Sequence, residues 1–214
     1  MNIKLGMAAV LLACAMGALP ALADDSASDG LAGHFQVRLR GLAVLPDASA
    51  KVTVGGVPLP SKTSVTDSFI PEIDGTYFIT DHIALELIAG TTMHSVHNSV
   101  AGNVGSVWLL PPTLTVQYQF DPTGPIRPYL GLGVNYTFFY SAHSNTLPPI
   151  SFSNNAGFAL QAGVDVPVGD GPYFLNFDAK KLFLSTTMKA AGGVVRASAN
   201  LDPWVVGAGV GIRF

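Results

Sequence analysis

Six ionisable side chains sit at alternate positions beside apolar neighbours: Arg38, Arg40, Glu72, Asp74, Glu86 and Arg213. In an extended chain, residues two apart share a face, so each of these would project opposite the apolar side of its own segment. Three are cationic and three anionic. Held together in a narrow, low-dielectric space they must pair, because an uncompensated buried charge is expensive. The chemistry expected of them is a charge-paired plug, and a selective ion path is the rarer use of the same groups.

Other reactive side chains form weaker patterns. His94-Ser95-Val96-His97 places two histidines three apart in a stretch that reads as a loop. A protein metal site needs at least three well-placed ligands, so solvated histidines are expected and no metal. Ser, His and Asp all occur, yet no nucleophile-elbow motif or clear triad accompanies them. No cofactor fingerprint is present, and none is expected. Cys14 is the only cysteine. The chain reads as a non-enzyme, with a lipid-modifying barrel enzyme kept as an alternative.

The element that would have to hold these charges is clearest at the end of the chain. Trp204, Val206, Ala208, Val210, Ile212 and Phe214 alternate with Val205, Gly207, Gly209, Gly211 and Arg213. One face is continuously apolar; the other is glycine-rich and carries one charge. The first face suits lipid and the second the crowded interior of a small barrel. Phe214 then ends the chain as transmembrane barrels commonly end, and is expected to serve as an assembly signal.

Composition supports that reading. Hydrophobic residues make up 49% of the 214 residues and charged residues 12%, about half the usual charged share. No apolar run long enough for a spanning helix follows residue 22. A membrane chain without such a helix must close its backbone hydrogen bonds in a barrel. A lipocalin-like soluble barrel would put the charged, glycine-rich face into water, and that face has too little charge. The net charge of −3 is small and dispersed, which argues against nucleic acid.

The beginning reads as a cleaved signal peptide over residues 1–23. Lys4 is the positive start, Leu5 to Leu19 the apolar stretch, and Ala21-Leu22-Ala23 the cleavage site. A lipoprotein box at Cys14 is the rival, but the apolar stretch continues past it. The mature barrel would then span 24–214.

Seven further segments alternate as strands, beginning near Phe35, Asp67, Ile83, Thr113, Arg127, Gly157 and Leu175. With the last, they predict an all-β fold, an eight-stranded antiparallel transmembrane barrel. Its connections alternate long and short, so short periplasmic turns and long extracellular loops are expected. Tyr77, Phe120, Tyr129, Tyr173 and Phe214 would form one aromatic girdle. Trp108, Phe138, Phe139, Tyr140, Phe183 and Trp204 would form the other. Strict alternation sends Lys181 towards lipid. Either a bulge re-aims Lys180-Lys181 or Lys181 snorkels to the interface.

The long loops carry apolar pieces, Val57-Pro58-Leu59, Trp108 and Leu147-Pro148-Pro149-Ile150. Exposed apolar residues are costly unless they line a mouth or meet lipid. The expectation is an apolar funnel lined by Val57, Leu59, Trp108, Leu147 and Ile150. Pro111-Pro112 could weaken the wall there, although they could equally just start the fourth strand.

Several of these pieces, in this order, resemble the OmpW family of outer-membrane proteins. They are Phe35-Gln36-Val37-Arg38-Leu39-Arg40, Pro71 to Phe78, Ala84 to Leu87, Leu110 to Tyr118, Arg127 to Phe139, Gly157 to Asp165 and Leu201 to Phe214. Phe35 departs from the family's usual tryptophan. The resemblance implies an outer-membrane conduit that takes small hydrophobic molecules past lipopolysaccharide and releases them sideways through the wall. Its implied partners are outer-membrane lipid and lipopolysaccharide, the barrel assembly machinery and small hydrophobic ligands. A structural or adhesive barrel that transports nothing remains the alternative.

Overall fold

Period-two alternation becomes strand along almost the whole chain. The computed structural model describes residues 31–145 and 148–214; the expected leader, the start at Asp24 and Leu147 lie outside the described residues. In chain order the strands are β1 (Phe35–Leu45), β2 (Ser49–Val54), β3 (Val57–Leu59), β4 (Thr63–Val65), β5 (Ser68–Phe78), β6 (Ile83–Ala89), β7 (Thr92–Asn98) and β8 (Gly102–Leu110). They continue as β9 (Thr113–Gln119), β10 (Arg127–Ser144), β11 (Ser151–Phe152), β12 (Asn155–Pro167), β13 (Tyr173–Phe183), β14 (Ser185–Ala190), β15 (Val195–Asn200) and β16 (Trp204–Arg213).

Eight of them close a cylinder in the order β1-β5-β6-β9-β10-β12-β13-β16, with β16 pairing back onto β1. All of its pairings are antiparallel. Closure leaves no edge strand, which is what a sheet needs in lipid. At the seam the chain ends bond directly: the Phe35 N–H donates to the Phe214 carbonyl at 2.7 Å, and the Phe214 N–H to the Phe35 carbonyl at 2.9 Å.

Outward faces are apolar and exposed, from Leu39 through Leu132 and Phe158 to Val210. Inward faces are filled. Glycines on the inner face make that filling possible: a Cβ on Gly163 would strike the Tyr129 ring, and one on Gly211 the Phe174 ring. Each glycine thus cedes its space to an aromatic side chain from another strand.

Three expectations change here, for the long connections and two girdle residues, and one open choice, at Lys180-Lys181, is decided. The long connections are not irregular loops, because β2, β3, β4, β7, β8, β11, β14 and β15 lie inside them. Gly, Pro and Ser content suggests loop, but Lys51-Val52-Thr53-Val54 and Ser185-Thr186-Thr187-Met188 still alternate. Their inward residues pack a second apolar cluster around Val104, Met188 and Ala197. The strands β11-β14-β15-β2-β3 form a separate five-stranded sheet above the barrel.

Two girdle residues face inward instead. Tyr129 is buried in the lumen, and Phe139 lines the interior and stacks on Phe152. Tyr129 shares the parity of Arg127 and Gly131, and that parity, not aromatic character, decides its side. Lys180-Lys181 needs no bulge, since β13 keeps unbroken register with β12 and β16 through both residues. Lys181 snorkels: its ammonium donates to the Asp202 carbonyl at 2.5 Å and lies 5.2 Å from the centre of the Trp204 ring.

Candidate functional site: a charged floor beneath an apolar chamber

The inward face of β1 reads Gln36, Arg38, Arg40, Leu42, Val44, polar below and apolar above. That change of character divides the lumen into two layers.

The lower layer is a network of paired charges. Arg38 lies opposite Asp74 and Arg40 opposite Glu72 in the β1–β5 ladder. The Arg38 Nε donates to Asp74 Oδ1 at 2.8 Å, and its Nη2 to Thr76 Oγ1 at 3.0 Å and to Glu86 Oε1. Arg40 Nη2 approaches Glu72 at 2.6 Å, Asp74 at 2.7 Å and Glu86 at 3.1 Å. Lys180 completes it from β13, 2.8 Å from Asp178 and 3.3 Å from Glu72. Such charge-assisted contacts, with at least two acids around each of these cations, are what make buried ions tolerable.

The network also crosses the bore. Strands β1 and β10 are four strands apart in either direction around the cylinder, yet Arg38 Nη1 donates to the Tyr129 hydroxyl at 3.3 Å. Tyr129 in turn donates to Asp178 at 2.7 Å, and Asn176 donates to Asp165 at 2.7 Å. With Arg38 and Arg40 essentially without solvent contact, this layer forms a floor across the narrow lumen of an eight-stranded barrel.

Of the six charges singled out from the sequence, Arg38, Arg40, Glu72, Asp74 and Glu86 come together here. Arg213 stands one level lower, bonded to Gln36 Oε1 at 2.7 Å and placed between the Phe78 and Phe174 rings at 5.0 and 5.7 Å. Asp165, Asp178, Lys180 and Tyr129 are members that the sequence reading missed. Their signal was the inward parity of their strands.

Above the floor is an apolar chamber with a cavity of about 210 Å³. Leu42, Val44, Leu182, Leu184 and Val205 line it from the barrel, and Val52, Val96, Met188 and Ala197 from the extensions. Glu72 and Lys180 form its base. Among the expected funnel residues, Leu59 lines this cavity, and Ile150 packs against the apolar cluster beside it. Val57 and Trp108 do not line it. Val57 is 68% exposed beyond the chamber, and Trp108 points outward and stacks on Tyr140 at 6.2 Å. The inward neighbours of Trp108 on β8, Val107 and Leu109, occupy the position expected of it.

The wall beside the chamber is interrupted in its backbone pairing, and across this gap in the ladder the Thr91 Oγ1 donates to the Leu109 carbonyl at 3.0 Å. The ladder of β6 with β9 ends at Ile88 opposite Thr113, and pairing between these two segments resumes at Thr92 opposite Leu109. On the other flank β5 pairs β6 only as far as Ile73 opposite Ala89, and the next backbone bond runs from Thr66 N–H to the Ser95 carbonyl. Gly90 and Thr91 therefore have no ladder partner on either side among the described residues. Pro71, Pro111 and Pro112 edge this gap, and none has an N–H to donate. On the β10 side the prolines leave pairing intact, since the Tyr136 N–H reaches the Pro112 carbonyl at 3.1 Å.

His94 closes the upper rim of the gap. Its Nδ1 donates to the Thr66 carbonyl at 2.6 Å and its Nε2 lies 3.1 Å from Thr92 Oγ1. The expectation of two solvated loop histidines is corrected: β7 is a strand, so residues three apart fall on opposite faces. His94 is buried and His97 exposed, and that orientation separates them as co-ligands.

Comparison with known proteins bears on this arrangement. The OmpW family profile matches residues 31–214. The chain is 45% identical to an outer-membrane protein of Sinorhizobium fredii, y4mB, over 88% of this chain and 84% of that one. It is 34% identical to outer membrane protein W of Salmonella typhi, over 92% and 96% of the two chains. The crystal structure of the outer membrane protein OprG from Pseudomonas aeruginosa superposes with a TM-score of 0.82 at 25% identity, covering 87% of this chain and 98% of that one. Short turns therefore face the periplasm and the strand extensions face outward, and the chain belongs to the OmpW family of outer-membrane β-barrel proteins.

Proposed function

We propose that this protein is a conduit for uptake of small apolar molecules, which enter the chamber from outside the cell and leave sideways into the membrane. The observation that carries the reading is an apolar chamber whose floor is sealed by paired charges while its wall lacks ladder pairing at Gly90 and Thr91. A hydrocarbon cannot cross the floor without stripping those ions of partners. The unpaired stretch supports the sideways route, since it is where the wall between chamber and lipid has the fewest backbone bonds to break. An apolar cavity of about 150 Å³ holds benzene, so 210 Å³ suits a one- or two-ring hydrocarbon. The reading assigns no bond-making chemistry to the protein.

The test compares a strain lacking the protein with the same strain carrying it again, using a naphthalene-like tracer and a small hydrophilic sugar. Faster entry of the apolar tracer alone supports the conduit. Equal gains for both solutes would mean an ordinary aqueous pore, and no gain for either would leave a structural or adhesive barrel.

A further inference from the structure

The five-stranded sheet above the barrel has an inner face packed on the chamber and an outer face that the uptake reading does not use. Register fixes what that outer face presents. The row farthest from the membrane sets Ser151 beside Lys189, Lys189 beside Arg196 and Arg196 beside Thr53. Two residues nearer the membrane, Thr187, Ser198 and Lys51 stand in line. Two residues nearer still come Ser185, Asn200 and Ser49, with Asn155 donating to Ser185 Oγ.

Every one of these positions is a hydroxyl, an amide or a cation. The face spans about 14 Å in each direction, from strand spacings of about 4.8 Å and about 6.8 Å per two residues. Its two lower rows form a depression walled on one side by Ser153, Asn154 and Asn155. The face's only charges are Lys51, Lys189 and Arg196, and no ion pair among the described residues involves them. Among the described residues the Arg196 side chain hydrogen-bonds to the Gly193 carbonyl, at 3.1 Å, and to no acid. Acids return below the last row, at Asp47 and Asp202, and the Asp202 carboxylate already accepts the Leu184 N–H.

The geometry points to the phosphorylated saccharide of lipopolysaccharide as the occupant of this face. Hydroxyl and amide side chains both donate and accept, as sugar hydroxyls do. Unpaired Lys and Arg supply charge for phosphate. Position selects the membrane-bound source. Strands β14 and β15 carry the middle of the face, with β12 at its side, and within a few residues along these strands the lipid-facing aromatics Phe183, Trp204 and Phe158 begin. The depression thus stands where the outer leaflet's sugars begin, continuous with the wall that its acyl chains already cover. Single exposed ion pairs are weak, so the interaction is a sum over several contacts and falls with salt. It holds the extension upright beside the chamber and rests on outer-membrane placement, not on transport.

The experiment uses the full barrel in mild detergent, with lipopolysaccharide as the probe. Binding is compared for native lipopolysaccharide, its dephosphorylated form and the soluble phosphorylated core oligosaccharide. The variant K51E/K189E/R196E should bind native lipopolysaccharide at least tenfold more weakly, and K51Q/K189Q/R196Q should show an intermediate loss. K62E, a cation outside this face, should bind as the unaltered protein does. All the altered positions are exposed, and a heat-induced gel shift confirms that each barrel has formed. Equal binding by the unaltered protein and both triple variants overturns the proposal, as does indifference to dephosphorylation. Tight binding of the free oligosaccharide with no preference for lipopolysaccharide overturns the membrane-bound source. Entry of the apolar tracer in phospholipid vesicles without lipopolysaccharide should be the same for the triple variants, so failure here is separable from failure of the uptake reading.

Discussion

Arg38 and Asp74 stand directly opposite each other on adjacent strands and close an ion pair of 2.8 Å with no solvent contact on either side. Arg38 makes no contact of this kind with Glu72, whose partners are Arg40 and Lys180.

The two acids should therefore couple differently to Arg38. Arg38→Ala leaves Asp74, Glu86 and Asp165 short of a cation, and losing one partner of a buried pair costs about 3–5 kcal/mol. Adding Asp74→Ala should return part of that loss, whereas adding Glu72→Ala should be close to additive. Unfolding midpoints in detergent for the two double-mutant cycles provide the check. Equal coupling in both cycles would mean that the floor acts as an undivided charge reservoir.

Gly90 sits in the unpaired wall, where an added Cβ would meet Ile70 and Glu72 only at an ordinary 3.7 Å. The side chain of Gly90→Leu would therefore project into the chamber beside the unpaired stretch and obstruct the approach to it. Entry of the apolar tracer should drop severalfold. Gly41→Leu, where a Cβ meets nothing within 4 Å, should leave entry unchanged. Equal entry in the two variants would place the exit elsewhere.

Phe214 bonds through its backbone to Phe35 at the seam, while its side chain is exposed at the lipid side. Replacing the side chain leaves those backbone bonds available. Phe214→Asp should nevertheless lower the yield of assembled barrel in the outer membrane, with tracer entry per assembled barrel unchanged. A normal yield of heat-modifiable protein would show that the terminal ring is no assembly signal.

His94 lies just above the outward row of Met93, Trp108 and Tyr140. Burial holds its imidazole below the ordinary range, against the opposing pull of the Thr66 carbonyl and Asp67. A lowered folded-state value means that protons favour the unpaired form. The contribution is complete above the ordinary value of about 6.5 and is lost as pH falls from there through the folded value. Amide hydrogen-exchange protection at Ser95 and Val96, taken relative to the intrinsic rate at each pH, should fall between pH 7.5 and pH 5, and His94→Gln should flatten that response.

Alternation in β16, from Trp204 to Phe214, was enough to assign one face to lipid and the other to a crowded lumen. The same rule placed Arg38, Arg40, Glu72, Asp74 and Glu86 inside. Side-chain parity is a local property of an extended chain, and each of these decisions needs only neighbours in sequence. Parity also held the signal for Asp165, Asp178, Lys180 and the apolar upper residues Leu42 and Val44, although their grouping does not follow from it. Height in the barrel depends on register between strands far apart in sequence. That register brings Tyr129 on β10 across the bore to Arg38 on β1, and puts Val44 level with Val205 above the floor. The gap at Gly90 is likewise an absence of partners on two flanking strands at once, and the sequence of a single strand carries no record of it. Prolines 111 and 112 marked one edge, but only closure of the cylinder showed that their β10 side stays paired while the side towards Gly90 does not.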